Sequence, residues 1–314
     1  MGRWDILRHD NARDSEPGPP REERRHQSRA TSVSVGRGPT DGSSANAPER
    51  PERPGPSYPE RSPNRRTPHR HEGRTYSLRS SELAAMRDIG TFRTVDAGDL
   101  ARFVYGGNEA RLKHDLESLR SQGLVEEKTL YRAHRSARKL VTLTAEGQQM
   151  VRKAGGLPEE QRIYHGFVKP KDLDHDADLY KVYQKAVEEI REKGGEPTRV
   201  RLDFELKESI NRARETVGHL PEYARRRRLG AVAEEHGLTI DGATISVPDL
   251  QVEYETREGR VERQNLELLS RYYGEDGIRG KAAAGFKMYA RTGDTNRVRR
   301  ALHNTGMVRE VRSI

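Results

Sequence analysis

The sequence has no cysteine, one tryptophan and only five phenylalanines in 314 residues. Without thiols there is no disulfide and no cysteine-ligated zinc or iron–sulfur centre, and a reducing, cytoplasmic location fits. No apolar run approaches the ~18–20 residues that cross a bilayer. Met1-Gly2-Arg3-Trp4-Asp5 opens without the apolar stretch of a secretory leader. Neither a membrane-spanning nor an exported protein is therefore expected. Apolar side chains are also scarce, at 32%; even with glycine added they fall short of the ~45–50% of an average globular chain. Charge is abundant instead: 34% charged residues, a net +9 and a pI of about 9.7. A surplus of that size suits a polyanionic partner, of which nucleic acid is the commonest.

The shortage of core material is concentrated at one end. Residues 1–75 hold 11 of the 16 prolines, 15 arginines, 11 acids and no lysine, and show no apolar periodicity. Such a segment buries too little to offset its ordering entropy, so a disordered Pro/Arg-rich tail is expected over 1–75. Arg61, Arg65, Arg66 and Arg70 are its densest basic stretch: an arm that touches nucleic acid, or a solvated linker. His69 and His71 offer a weak metal-binding signal.

Residues 76–155 are more informative. Ser81 reads as the N-cap of a helix stopping at Gly90, followed by a short extended piece over 91–95. A second helix carries Leu100, Phe103 and Val104 and ends at Gly106-Gly107. Asn108 caps a third, in which Leu112, Leu116 and Leu119 recur at i, i+4, i+7; Gly123 closes it. Leu124-Val125, the basic stretch 128–139 and the alternating Leu140–Leu143 read as a two-stranded ribbon, and Thr144 caps a last helix. This is the order of a winged helix-turn-helix. The phrases Leu116–Val125 and Leu143-Thr144-Ala145-Glu146-Gly147 resemble those of winged-helix repressors.

On a helical wheel the third helix turns its leucines inward and shows Arg111, Lys113, His114 and Ser118 outward. These are donors suited to phosphates and base edges, and Asn108 stands where the helix dipole favours phosphate. The ribbon adds Lys128, Arg132, Arg135, Arg138 and Lys139 with no acid between them, the charge a wing needs along a phosphate backbone. Glu109, Asp115 and Glu117 allow the plainer reading of a solvated helix, or of a winged helix that binds protein.

Residues 156–173 read as a linker. A helix with a 3.6-residue period follows from 174, then a period-2 strand through Val200, Leu202, Phe204 and Leu206. Two helical stretches come next, the second carrying Arg225–Arg228, either a solvated face or an extension of a DNA path. A hairpin turns around Glu258-Gly259-Arg260, and a helix over 277–290 carries Ile278, Ala282, Phe286 and Tyr289. This gives a mixed α/β domain over 174–292 and a basic helix or tail over 293–314; the whole chain is α+β.

Pro248-Asp249 followed by Glu267 has the outline of a PD-(D/E)xK nuclease, in which two carboxylates hold Mg²⁺ that polarises the phosphate and generates hydroxide. The lysine expected two residues past the second acid is Leu269 here; Lys281 on the next helix is the candidate replacement, and Glu205 a further acid. The alternative is a turn aspartate and a surface glutamate. No HExxH, P-loop or GxSxG motif is present.

The layout over about 80–290 resembles the replication-relaxation proteins of bacterial mobile elements, on Leu116–Val125, Leu143–Gly147, His175, Glu205, Asp249, Glu267 and Lys281. The resemblance implies duplex DNA binding in replication, transfer or transcriptional control of a mobile element, and a restriction-endonuclease-like second domain that is often degenerate. Leu269 departs from the catalytic pattern, so a non-enzymatic DNA-binding protein without cofactor is the first expectation. A Mg²⁺-dependent DNA nuclease and a winged-helix protein-interaction module are the alternatives. Winged-helix proteins often form homodimers, though no heptad run here shows how.

Overall fold

A computed structural model describes residues 65–131, 137–169, 172–241, 244–270, 273–304 and 310–314. Residues 1–64 of the expected tail, and Arg132 and Arg135 of the expected wing, lie outside them.

Regular structure begins inside the stretch expected to be a tail. β1 (Thr67–His71) and β2 (Arg74–Leu78) pair antiparallel. Glu72 and Gly73 between them both have positive φ, 43° and 76°, the geometry of a two-residue hairpin turn. Tyr76 and Leu78 alternate inward and are buried.

The next elements are α1 (Ser80–Phe92), β3 (Val95–Asp96), α2 (Ala97–Phe103), α3 (Glu109–Ser121), β4 (Val125–Tyr131), β5 (Ala137–Leu143) and α4 (Ala145–Ala154). The strands form an antiparallel sheet in the order β3-β5-β4. Polar caps fix the helix starts: Asp96 Oδ1 accepts from Gly98 N–H at 2.8 Å, Asn108 Oδ1 from Arg111 N–H at 2.9 Å, and Thr144 Oγ1 from Gly147 N–H at 3.0 Å. Ser81 is not the cap of α1; it lies in the first turn, and Arg79 N–H is bound instead by the Glu82 carboxylate at 2.6 Å.

Two glycines serve close approach. α1 does not stop at Gly90; Ile163 and Leu143 cross it there, and a Cβ would lie 2.6 Å from Ile163 Cγ2. At Gly147 a Cβ would fall 2.0 Å from the Leu124 carbonyl oxygen. The Leu-Thr-x-x-Gly spacing thus joins a cap to a packing requirement.

The remaining elements are α5 (Leu173–Glu192), β6 (Glu196–Leu202), α6 (Asp203–Val217), α7 (Glu222–Glu235), β7 (Ile240–Asp241), β8 (Thr244–Ile245), β9 (Leu250–Glu255), β10 (Val261–Leu269), α8 (Glu275–Ala283), β11 (Lys287–Ala290), α9 (Thr295–Asn304) and β12 (Val311–Ser313). The main sheet runs β12-β11-β10-β9-β6. β6 and β10 each pair antiparallel with β9 between them, and β11 and β12 continue parallel to β10. The protein is a mixed α+β structure.

Two expectations for these later elements fail. The strand through Leu206 ends at Leu202, where Glu205 turns back to accept from Leu202 N–H at 3.1 Å and starts α6. The helix over 277–290 is α8 followed by β11, broken at Gly285 with φ 83°. The described part of the connector 156–173 is packed: Ile163 is buried, Tyr164 N–H binds Gly90 O at 2.7 Å and Gly166 N–H binds Leu143 O at 3.0 Å. One apolar cluster accordingly runs from Tyr76 and Phe92 through Tyr180 to Leu266 and Tyr289, with the Phe92 and Tyr180 rings edge-on at 5.2 Å.

Candidate functional site

Two regions hold the residues singled out in the sequence. The first is the outer side of α3 and the β4–β5 hairpin. Leu112, Leu116 and Leu119 face the core, and Asp115 is buried with them, bound by Arg79 at 2.6 Å, Ser81 Oγ at 2.7 Å and Tyr105 OH at 3.2 Å. Asp115 therefore does not add negative charge to the outer face. Asn108, Arg111, Lys113 and His114 are exposed, as are Glu109 and Glu117. Arg79 sits against His114 Nδ1 at 3.3 Å, and the same nitrogen lies 3.8 Å from Asp115 Oδ1. Lys128 is exposed, and Lys139 pairs with Glu127 at 2.9 Å.

Two residues expected on this face are used elsewhere. The Ser118 hydroxyl accepts from Arg66 at 2.8 Å and from Gln122 at 3.2 Å, under the β1–β2 hairpin. Arg138 is 8% exposed and points inward, to Asp96 at 2.8 Å, Asp174 and Asp178 at 2.9 Å and Asp99 at 3.7 Å. It ties β5 to α2 and α5, and it is not a phosphate contact. The reason was invisible in the sequence: three of its four partners come from α2 and α5, which only the fold brings beside β5.

The second region is a cleft of about 510 Å³ between α6, the start of β9 and α8, lined by Asp203, Lys207, Arg214, Asp249, Tyr273 and Lys281 among others. Asp249 and Glu267 stand side by side because β9 and β10 pair with Leu250 opposite Leu266. Asp249 N–H donates to Glu267 Oε2 at 3.2 Å, and Asp249 Oδ2 accepts from Leu268 N–H at 2.8 Å. Lys281 Nζ reaches back from α8 to Glu267 Oε1 and to Val247 O, each at 2.8 Å. Tyr273 OH donates to the same Glu267 oxygen at 2.8 Å. His175 Nε2, on the first turn of α5, lies 3.5 Å from Asp249 Oδ1.

Glu267 is fully buried, and burial followed by the charge of Asp249 raises its pKa to about 7, against the opposing pull of Lys281. Burial pushes His175 down, but the Asp249 carboxylate outweighs it and the net shift is upward. Burial lifts Asp176 to about 6. The structure thus brings together Asp249 before β9, Glu267 on β10, Lys281 on α8 and His175 on α5. It does not bring Glu205, which lines a different cleft beside Arg162 and Arg201. Tyr273 and Lys207 carried no sequence signal.

The donor set of the cleft suits a hard cation. Among the described residues, Asp249 Oδ1 meets only His175 at 3.5 Å and Glu267 Oε2 holds only the 3.2 Å bond from Asp249 N–H, and two adjacent carboxylates are relieved by positive charge. A second cluster does not suit one. His71, Glu72 and Glu146 set potential ligand atoms within 4.8 Å of one another, but His71 is bound to Gln149 and Glu146 to Tyr76, each at 2.6 Å.

No family model and no curated protein matches the chain. Among solved structures, the Bacillus subtilis PadR protein in complex with operator DNA is similar at a TM-score of 0.21 and 14% identity, over 51% of this chain and 92% of that one. At that level the similarity carries no argument. Among the described residues, no helix is long and apolar enough to cross a membrane.

Proposed function

We propose that this protein binds duplex DNA through α3 and the β4–β5 hairpin as a winged helix, in the replication, transfer or transcriptional control of a bacterial mobile element. The observation that carries the DNA-binding reading is the division of α3: three leucines and Asp115 fix one side in the core, while Arg111, Lys113 and His114 stand in solvent next to a hairpin bearing Lys128 and Lys139. The role in a mobile element rests on the sequence resemblance. Removing two phosphate-binding side chains from such a surface lowers the slope of log K against log salt by about 1.8. Arg111→Ala with Lys113→Ala should show that drop in a fluorescence-anisotropy salt series. Unchanged duplex binding would sink the reading and favour a protein-interaction module.

The cleft supports a second reading, Mg²⁺-dependent hydrolysis of a phosphodiester. Asp249 and Glu267 would hold the ion, which when bound supplies Lewis-acid polarisation and an activated water. Lys281 takes the place of the lysine absent at Leu269: it reaches the acid pair from the next helix and offers its charge to a phosphate oxygen. His175 orients Asp249 and is placed to hold a proton at Nε2. Plasmid nicking with Mg²⁺ or Mn²⁺ tests this; activity that survives in Asp249→Ala excludes the site.

A further inference from the structure

α7 buries little. Of its 14 residues only Leu229 and Ala233 are buried. With Ile210 and Val217 of α6, Leu238 and Ile245, they form a small apolar cluster of their own. That cluster holds α7 against α6 and leaves most of α7 in water. Arg225, Arg226, Arg227 and Arg228 are all exposed, and among the described residues no ion pair joins any of them.

A merely solvated charged helix places acids three or four positions from its bases. Here those positions hold one acid, Glu222, within reach of Arg225 and Arg226. Around Arg227 and Arg228 they hold Tyr223, Ala224, Arg225, Gly230, Ala231 and Val232. Of the four, Arg225 and Arg228 stand three apart on one side of α7, where like charges oppose each other, and a polyanion relieves that opposition. Tyr223, 77% exposed, lies one turn before Arg227, an open ring beside a basic group.

The location matters as much as the charge. Asp203, Lys207, Ile210, Asn211 and Arg214 are spaced along one face of α6, and that face lines the Asp249–Lys281 cleft. At 1.5 Å per residue α6 runs about 16 Å from Asp203 to Arg214, and α7 follows after a short turn. Lys207 and Lys281 are paired with Asp203 and Glu267 inside the cleft, and Arg214 and the four arginines lie beyond them along α6 and the helix that packs on it.

We propose that α6 and α7 form a second nucleic-acid surface, separate from α3, that grips the phosphodiester backbone and leads it to the Asp249–Glu267 cleft. This deepens the DNA-binding reading, and the α3 variant separates the two.

The test uses the full chain with labelled duplex and single-stranded DNA of one length, and phosphatidylserine vesicles as a parallel probe, over a salt series. All four arginines are changed to Gln in one variant and to Lys in another, beside Tyr223→Ala and the Arg111/Lys113 variant. If all four arginines meet phosphates, the Gln variant loses about 3.6 of the salt slope on duplex, or about 2.8 on a single strand. The Lys variant keeps most of it. Tyr223→Ala should weaken the single strand alone, since only unpaired bases can stack on the ring. An unchanged slope in the Gln variant overturns the proposal. So does an equal loss in the Lys variant, or a loss seen only with the vesicles. Loss in the Gln variant with no effect of the α3 variant keeps this surface and removes α3 from DNA binding.

Discussion

Replacing Arg138 by Met tests how the two halves of the chain are joined. Four carboxylates, Asp96, Asp99, Asp174 and Asp178, surround its guanidinium. Two other cations share the cluster: Arg291, on Asp174 and Asp178 at 2.9 and 2.6 Å, and Lys181, on Asp99 and Asp178 at 3.5 and 3.7 Å. Four negative charges thus face three positive ones, and only two remain after Arg138→Met. The arrangement is already imperfect, since Arg138 Nη2 and Asp99 Oδ2 face each other 3.7 Å apart with no hydrogen bond on either. Removing one partner from a buried ionic cluster costs ~3–5 kcal/mol, which for a folded region of this size is a fall in Tm of ~6–20 °C.

The loss should depend on pH. Burial holds the Asp99 pKa at about 6, above its unfolded value. Its stabilising contribution is therefore complete below the unfolded pKa and is lost as pH rises through about 6. Without Arg138 the upward push grows, so the deficit of the variant widens toward neutral pH and narrows in mild acid. Urea unfolding of both proteins across this range reads the difference directly. A loss under ~1 kcal/mol, or one that is the same at every pH, would refute the assigned role of the cluster.

Gly147→Ala drives a Cβ against the Leu124 carbonyl and should cost ~1–3 kcal/mol by overpacking, although alanine is the better helix former; a neutral or raised urea midpoint contradicts the geometry. Glu267→Gln should flatten the stability curve. The folded pKa of Glu267 is raised to about 7, so its contribution is lost as pH rises through that value, and the variant has no such loss. For His175, also raised, the stabilising term is present below the ordinary imidazole pKa and lost as pH passes the folded value. Asp249→Asn should lower the His175 pKa in an NMR titration, and an unmoved pKa would show that the 3.5 Å contact is not the cause.

The α1–α4 half could be read from the chain because its signals are local. Leucine spacing, Asn108 and Thr144 each act within a few residues of where they stand, and Gly147 is read from its place three after Thr144 even though its packing partner, Leu124, is distant. The second half misleads for the same reason. Val200, Leu202, Phe204 and Leu206 alternate as a strand would, yet the backbone turns after Leu202, where Glu205 caps α6 and Asp203 N–H binds Asp249 O at 2.9 Å, a partner far along the sequence. Gly285 was a usable warning that the helix spacing through Phe286 and Tyr289 was accidental. Glu72-Gly73 before an alternating Tyr76 and Leu78 equally announced the first hairpin, hidden by the prolines preceding it. Of the cleft, Asp249, Glu267 and Lys281 were visible as residue types at a spacing, whereas Tyr273 and Lys207 are placed only by the fold.

The apolar cluster from Tyr76 to Tyr289 governs how the protein can be divided, by a protease or by gene rearrangement. Cutting between α4 and α5 would part Ile163 from Gly90 or Tyr180 from Phe92, and each fragment would present raw core to water. The halves should therefore melt in one transition and resist separate expression. A lineage that inherited either half alone would have had to resurface it first.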